Sequence, residues 1–158
     1  MSKILELEAL VQELHVLQHN GTRVVFTNGC FDILHVGHVR YLTAARAKGD
    51  LLVVGLNSDE SVKLIKGKKR PIVSQEQRAE VLISLECVDY VTIFDEADPL
   101  NLIQTIKPDV LVKGADWAEK DIIGADFVKA NGGKVKRISV VPDASTTDII
   151  QKIIQKYN

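Results

Sequence analysis

Five short apolar runs, separated by segments of helical spacing, constrain the fold of this chain more than any other feature. The runs are rich in Val, Leu and Ile, and continuous runs of this kind are typical of strands buried on both faces of a parallel sheet. Segments with apolar residues every three or four positions predict helices between them. The sequence therefore predicts an α/β fold with a doubly wound parallel sheet. The predicted strands lie near 23–27, 51–56, 88–94, 109–112 and 135–141, and the predicted helices near 36–48, 75–86, 98–106, 121–131 and 146–156.

A further helix is predicted ahead of the first strand. Residues 2–19 end before an Asn-Gly pair that is a suitable C-terminal stop. A chain of 158 residues has the length of one domain. We therefore expect an N-terminal helix over 1–21 and a single domain over 22–158. The apolar positions at helical spacing in the leading helix are Ile4, Leu7, Val11 and Leu14.

Composition narrows the possible partners of the chain. The net charge is −1, which does not indicate binding to nucleic acid or to an anionic membrane. The sequence has no apolar run of the ~18 residues that a spanning helix needs, and no secretory signal pattern. Cys30 and Cys87 indicate neither a disulfide framework nor a zinc ribbon. We expect a cytoplasmic protein that binds neither membrane nor nucleic acid.

Two histidines mark the junction between the first predicted strand and the helix that follows. His35 and His38 are three residues apart at the helix start, with Gly37 between them. The first N–H groups of a helix lack partners and the helix dipole is positive there, so this junction favours phosphate. Two other interpretations stay open from the spacing alone. The histidines could be an ordinary solvated face, or could form a metal site with Asp32.

A basic segment follows the second predicted strand. The predicted loop over 58–74 carries five cationic side chains within eight residues, ahead of a helix start at Ser74 that has the pattern of a capping box. This loop leaves the sheet at the same edge as His35, and a mobile basic loop can close over a phosphate site. The alternative is a solvated basic loop. The five side chains are Lys63, Lys66, Lys68, Lys69 and Arg70.

Two more polar segments lie at later element ends. Lys113, Gly114 and Asp116 follow the fourth predicted strand, where the simplest interpretation is a turn with a salt-bridged Lys113. The segment Ser145-Thr146-Thr147-Asp148 opens the last predicted helix, with Ser145 as the expected N-cap. Many helices begin in this way, so neither segment indicates a function by itself.

Together these segments resemble the nucleotidyltransferase superfamily with a His-x-Gly-His motif, which includes cytidylyltransferases and several adenylyltransferases. Thr-Asn-Gly-Cys-Phe-Asp stands here where the family typically has Gly-Thr-Phe-Asp, and the resemblance runs from about Arg23 to the C-terminus. It implies a Rossmann-like nucleotidyltransferase fold. It also implies catalytic roles for His35, His38 and Lys66, and nucleotide-binding roles for Asn28, Gly29, Phe31, Asp32, Gly37, Lys68, Arg78, Lys113, Gly114, Asp116, Ser145, Thr146 and Thr147.

Where the sequence departs from the usual superfamily pattern, it resembles one branch of the superfamily, the heptose 1-phosphate adenylyltransferases. The segment before Ala144 lacks the arginine that cytidylyltransferases carry there. The resemblance implies that ATP, with Mg²⁺, reacts with D-glycero-β-D-manno-heptose 1-phosphate to give ADP-heptose and pyrophosphate for lipopolysaccharide core biosynthesis. Many members are fused behind a sugar kinase, and we expect the stand-alone form here. A homo-oligomer is among the assemblies that we consider.

Two other functions remain open at this point. One is a cytidylyltransferase acting on a polyol or alcohol phosphate. The other is a non-catalytic module that binds a nucleotide or a metal ion through Asp32, His35 and His38.

Overall fold

Six parallel strands form one sheet in the computed structural model, which describes residues 3–157. Next to the second strand, the third and fourth strands follow on one side of the sheet, and the fifth and sixth strands follow on the other side. The strand order thus reverses between the second and fifth strands, and ligands of such sheets bind beyond the carboxyl ends of the strands at this point. The strands are β1 (Lys3–Ile4), β2 (Val24–Gly29), β3 (Leu51–Asn57), β4 (Tyr90–Phe94), β5 (Val110–Gly114) and β6 (Lys134–Ile138), in the order β1-β4-β3-β2-β5-β6.

Within residues 3–157, seven α-helices and one short 3-10 helix (Glu119–Asp121) connect and flank the strands. The five helices predicted after the first strand are present within about four residues of their expected bounds, whereas the leading helix begins later than predicted. The helices are α1 (Leu7–His19), α2 (Val36–Arg46), α3 (Asp59–Lys66), α4 (Gln75–Ile83), α5 (Leu100–Ile106), α6 (Ala125–Ala130) and α7 (Thr146–Tyr157).

Both faces of the sheet are covered, which confirms the doubly wound architecture. Alternate residues of β2 point to opposite faces, as strand geometry requires. Phe26 packs with α1, α5 and α6 on one face, whereas Val25 packs with α2 and α4 on the other. The two cores explain why the central strands are apolar along their whole length.

The segment ahead of β2 differs from the predicted single helix. Ile4 is not part of the helix, because Lys3 and Ile4 form a short strand beside Tyr90 and Val91 of β4. Helix α1 begins at Leu7, and its Leu14 is fully buried against the sheet. Residues 3–19 therefore share the core of the domain. Met1, Ser2 and Asn158, which the predicted segments include, lie outside the described residues.

The predicted loop over 58–74 was wrong in its first half, which forms α3. The Ser58 hydroxyl accepts a hydrogen bond from the Ser61 N–H at 3.2 Å and caps this helix. Only Ser61 and Val62 of the helix are buried, and its eight residues are too few for apolar periodicity to distinguish a helix from a loop. Ser74 does precede α4, but its side chain makes no capping bond, so the capping box predicted there is absent. None of the helices within residues 3–157 is both long and apolar enough to cross a membrane.

Candidate active site

A cavity of about 580 Å³ opens at the carboxyl ends of the strands, beside the point where strand order reverses. All but two of the predicted site residues line it, and the exceptions are Lys68 and Arg78. The structure thus brings together side chains from four separated segments of the sequence. The predicted residues in the lining are Asn28, Gly29, Phe31, Asp32, His35, Gly37, His38, Lys66, Lys113, Gly114, Asp116, Ser145, Thr146 and Thr147.

Two helix N-termini meet at this cavity. Helix α2 begins at Val36 and α7 at Thr146, and the residues at both starts line the cavity. A Cβ atom on Gly37 would lie 2.9 Å from the His35 ring and 3.3 Å from the Ala144 Cβ, so only glycine permits this approach. Unpaired N–H groups and two positive dipole ends therefore converge on one place, which is an arrangement suited to a polyphosphate.

The two histidines stack at the start of α2. Their ring centroids are 3.8 Å apart with an interplanar angle of 23°. The His35 Nδ1 atom accepts a hydrogen bond from the Gly37 N–H at 3.1 Å, so the proton of the neutral ring is on Nε2. The buried Nδ1 atom of His38 has no hydrogen-bond partner among the described residues.

Burial keeps both rings neutral. Burial lowers the pKa of His35. Burial, and then the neighbouring His35, lower the pKa of His38 to about 4. Near pH 7 the pair therefore presents N–H donors rather than fixed charges, and its contribution to binding is hydrogen bonding in a partly desolvated site.

The backbone that leads into this pair is strained. Phe31 and Ile33 have φ values of 46° and 50°, a region that side chains with a β-branch rarely adopt. The Phe31 ring contacts His38 edge-on, with centroids 5.3 Å apart. Strain of this kind persists where surrounding contacts fix the chain, and here it places Phe31 against the histidine pair.

Asp32 holds the neighbouring loop instead of facing the cavity as a free carboxylate. Its Oδ2 atom accepts from Arg70 Nε at 2.7 Å and from the Ile72 N–H at 2.9 Å, and its Oδ1 atom accepts from the Val73 N–H at 3.0 Å. Burial alone would raise the pKa of Asp32, but these bonds and the Arg70 charge hold the pKa below its ordinary value.

The hydrogen bonds of the Asp32 carboxylate argue against the alternative of a metal site formed by Asp32, His35 and His38. Both of its oxygens are used in hydrogen bonds to Arg70, Ile72 and Val73. Within residues 3–157 there is also no group of three or more His, Cys, Asp or Glu side chains placed to hold a metal ion.

Arg78 lies behind the cavity wall rather than in it. The side chain is 2% exposed, and its donors bond to the carbonyl oxygens of Val73, Cys30 and Asn57 and to the Asp59 carboxylate. Arg78 therefore joins the ends of β2 and β3 to the loop before α4. Lys68 is exposed on that loop and does not line the cavity.

Lys113 does not form the salt bridge expected from a simple turn. No ion pair or hydrogen bond of its ammonium group occurs among residues 3–157. The nitrogen lies 5.9 Å from the centroid of the Trp117 ring, and burial lowers the pKa of the ammonium group. The Asp116 carboxylate packs so closely on Gly114 that a Cβ atom there would lie 2.4 Å from its Oδ1 atom.

The start of α7 is tied to the histidine loop. Ser145 is the N-cap as predicted, because its hydroxyl accepts from the Asp148 N–H at 3.1 Å and donates to the Asp148 carboxylate at 2.7 Å. The Thr146 hydroxyl donates to the backbone carbonyl of Asp32. The helix start is therefore fixed in position against the loop that carries the histidines.

Arg70, Tyr41 and Trp117 also line the cavity, and none of them was predicted as a site residue. The sequence assigned Arg70 only to the basic segment. In the structure its bond to Asp32 holds that segment against the loop that leads to the histidines. Tyr41 bonds to Thr27 Oγ1 at 2.7 Å and to the Val112 carbonyl, so it joins α2 to the sheet. Tyr41 lies three residues after His38, and this helical spacing could have indicated it. Trp117 gave no such signal, since it lies beyond a turn.

The sheet order, the paired helix N-termini and the stacked histidines describe a Rossmann-like fold with a cavity suited to a polyphosphate at the switch point of its sheet. The family model described as cytidylyltransferase-like matches residues 26–152. The chain therefore belongs to the cytidylyltransferase-like family.

Relatives of known sequence and structure agree with this assignment. The bifunctional proteins HldE of Syntrophotalea carbinolica and Geobacter sulfurreducens are 52% and 51% identical to the chain over 156 residues, 99% of this chain. The chain spans 32% of the length of each of these relatives. The crystal structure of the lipopolysaccharide core biosynthesis protein from Thermoplasma volcanium is 31% identical, with a TM-score of 0.61, and the match covers 77% of this chain and 98% of that protein.

Proposed function

We propose that the chain transfers the adenylyl group of ATP to D-glycero-β-D-manno-heptose 1-phosphate, giving ADP-heptose and pyrophosphate. The observation that carries the proposal is the convergence of two helix N-termini on the stacked histidines at the switch point of the sheet. The choice of substrates is supported by the motif resemblance to heptose 1-phosphate adenylyltransferases. The HldE relatives, and a similar structure named for lipopolysaccharide core biosynthesis, support the same choice.

The helix ends and the histidines are the proposed binding site of the triphosphate. The N–H groups at the starts of α2 and α7 and the ring N–H of His35 donate to phosphate oxygens without any reorganisation of the protein. His38, held neutral by burial, adds a donor beside Phe31 and Gly37. Ser145, Thr146 and Thr147 provide the remaining donors at the α7 start. These groups stabilise the charge that accumulates on the leaving pyrophosphate.

The nucleoside is proposed to lie at the end of β5. The Asp116 carboxylate is exposed in the cavity and can accept from ribose hydroxyls, while Gly114 allows the backbone to approach the base. Asn28 and Gly29, at the end of β2, line the floor between this region and the triphosphate. Arg78, which is buried behind these residues, would act by holding the loop and not by touching the nucleotide.

The reaction needs alignment and charge stabilisation more than proton transfer. A sugar phosphate with a second pKa near ~6 is already anionic at neutral pH, so it can attack without a general base. One of its oxygens forms a bond to the α-phosphorus of ATP. The bond from that phosphorus to the bridging oxygen of the β-phosphate breaks, and pyrophosphate leaves with the electron pair. No covalent enzyme intermediate is expected.

Magnesium is proposed to enter with ATP as part of the substrate. Mg²⁺ in such sites is bound largely by substrate phosphates, with one or two carboxylates at most. The cavity offers few carboxylates to a metal ion. Asp32 already accepts hydrogen bonds from Arg70 and two backbone amides, and Asp116 is an exposed acid beside the proposed nucleoside region. The use of ATP also favours a cytoplasmic location for the reaction. Assembly as a homo-oligomer stays a prediction.

A pyrophosphate-release assay tests the proposal. ATP, CTP and GTP are each presented with a panel of sugar 1-phosphates and with an alcohol phosphate such as glycerol 3-phosphate. We expect ATP with the heptose 1-phosphate to be preferred, with CTP about ten- to a hundredfold less efficient, because a mispaired polar edge in a dry pocket costs about 1–3 kcal/mol. Faster turnover of CTP with an alcohol phosphate would establish the cytidylyltransferase alternative. Nucleotide binding without any turnover would establish the non-catalytic one.

A further inference from the structure

Two lysines approach the cavity from opposite sides of β2. Lys66 ends α3, which follows β3, and Lys113 belongs to β5. Strand β2 lies between β3 and β5 in the sheet, and the residue that follows β2 is near both lysines. That residue is Cys30, and all three residues line the cavity.

The electrostatics of Cys30 agree with this placement. Burial raises the pKa of the Cys30 thiol, and the charge of Lys66 acts against that rise. The Lys113 ammonium is near enough to Cys30 for the two groups to influence each other's pKa. The thiol is thus neutral, and Lys66 and Lys113 both lie near it, with the Asp116 carboxylate also near Lys113 but not ion-paired with it.

Neither lysine has a counter-ion among residues 3–157. Arg70, the other Lys or Arg side chain in the cavity lining, is paired with Asp32. Lys113 is half-buried, whereas Lys66 is exposed. A half-buried ammonium group without an ion pair is unfavourable, so Lys113 in particular favours a ligand that brings negative charge. The pair of lysines matches the two charges of a phosphate monoester.

We propose that Lys66 and Lys113 together bind the phosphate of the acceptor, above Cys30. This inference rests on the proposed function. The helix N-termini and the histidines already supply donors for the triphosphate, and of the described Lys and Arg side chains that line the cavity only Lys66 and Lys113 are left without an ion pair for the attacking phosphate. It must lie about 3–3.5 Å from the α-phosphorus, and the end of β2 is adjacent to the histidine pair in sequence and in space.

The inference gives Lys113 a different partner from the one that the motif resemblance implies. The resemblance assigns Lys113 to the nucleotide with Gly114 and Asp116. Here Lys113 is a residue that positions the acceptor, and the nucleoside contacts are left to Gly114 and Asp116. The two assignments predict effects on different Michaelis constants, so kinetics can separate them.

The test compares Lys113→Met with Lys113→Arg and with the control Lys136→Met. Lys136 is exposed on the neighbouring strand β6 and does not line the cavity. Methionine keeps the length of the side chain and its contact with Trp117, so a folded variant is expected, and a thermal melt checks it. In Lys113→Met we expect KM for heptose 1-phosphate to rise about 10–100-fold, as for the loss of a hydrogen bond between charged groups.

The other measurements complete the comparison. We expect KM for ATP to change less than about threefold, Lys113→Arg to recover most of the acceptor affinity, and Lys136→Met to behave as wild type. A rise of KM for ATP alone would return Lys113 to the nucleotide and overturn the inference. Unchanged values for both substrates would overturn it as well.

A binding experiment distinguishes a failure of this inference from a failure of the proposed function. Inorganic phosphate is titrated calorimetrically into enzyme saturated with a non-cleavable α,β-methylene analogue of ATP. We expect Lys113→Met to bind phosphate at least about tenfold more weakly than wild type. If wild type releases no pyrophosphate with any sugar 1-phosphate but still binds inorganic phosphate more tightly than Lys113→Met does, the proposed function fails and the phosphate subsite stands. Equal phosphate affinity in wild type and Lys113→Met overturns the subsite, whatever the activity.

Discussion

The cavity has two sides that differ in how completely their polar groups are paired. On one side, Asp32 and Arg78 use every charged atom in hydrogen bonds to Arg70, to Asp59 or to the backbone. On the other side, the Asn28 Oδ1 and His38 Nδ1 atoms are buried without partners, and Lys113 has no anion, all among the described residues. Asn28, Asp32 and His38, which represent both sides, lie within eleven residues of the sequence.

The difference separates a framework from a binding surface. Buried polar groups in folded proteins are nearly always paired, and a saturated network fixes the chain in one conformation. Groups left unpaired in a cavity have a cost that a ligand can remove. The side with Asp32 and Arg78 therefore positions the loops, and the side with His38 and Lys113 is the surface that we propose for binding the substrates. The sequence motifs alone do not distinguish the residues of the framework from those of the binding surface.

Removing Asp32 is expected to have the largest effect on stability. Asp32→Ala leaves the Arg70 charge and two backbone amides without their acceptor, and breaking such a buried pair costs about 3–5 kcal/mol. Urea unfolding should show a loss of this size, and activity should fall with it. Asp50→Ala is the matched control, because Asp50 pairs with Arg23 at an exposed site and should change stability little. Equal stability of the two variants would remove the framework role.

Removing His38 should separate catalysis from stability. His38→Ala deletes a preorganised donor, and kcat should fall by about 10²–10³. The melting temperature should be unchanged or higher, because the variant also removes a buried nitrogen without a partner. His15→Ala, on the exposed face of α1, is the control for kcat. Near-wild-type turnover of His38→Ala would contradict the proposed catalytic role of the histidine.

The same histidine predicts a pH dependence of stability. Its pKa is about 4 in the folded protein and 6.5 for an ordinary histidine in the unfolded chain, so below pH 6.5 the unfolded chain binds a proton that the folded protein does not. The free energy of unfolding should fall as pH decreases from 6.5 to about 4, by about 1–3 kcal/mol after allowance for partial exposure. His38→Asn should flatten the curve in this window. Parallel curves for wild type and variant would show that the ring is not buried as the structure has it.

The smallest effects concern the basic segment. Lys66 lines the cavity and Lys68 does not. We expect Lys66→Ala to lower kcat/KM about tenfold, Lys68→Ala to lower it only a few-fold, and Lys48→Ala, after α2, to leave it unchanged. Steady-state kinetics at fixed ionic strength measures all three. A loss for Lys68→Ala as large as that for Lys66→Ala would show that the segment closes further over bound substrate.

Much of the fold could be predicted because its signal is local. The apolar runs at β2 through β5 and the helical spacing of α2, α4 and α7 each lie within about a dozen residues. Helix α3 was missed because only Ser61 and Val62 face the core, and β1 because two residues are too few to show a period. The site residues were predicted from motifs at strand ends, since parallel strands bring their carboxyl ends to one edge.

By itself, the sequence determined the alternation of strands and helices and the presence of histidines, lysines and hydroxyls at one edge of the sheet. Only the tertiary structure decided which of these groups are paired. The acceptor of Arg70 is 38 residues away, and the hydroxyl of Thr146 bonds to a carbonyl 114 residues away. Periodicity follows from the geometry of the local chain, whereas hydrogen-bond partners are chosen by proximity in three dimensions. For this reason Asp32 became part of the framework while Lys113, beside a similar turn, was left without a partner.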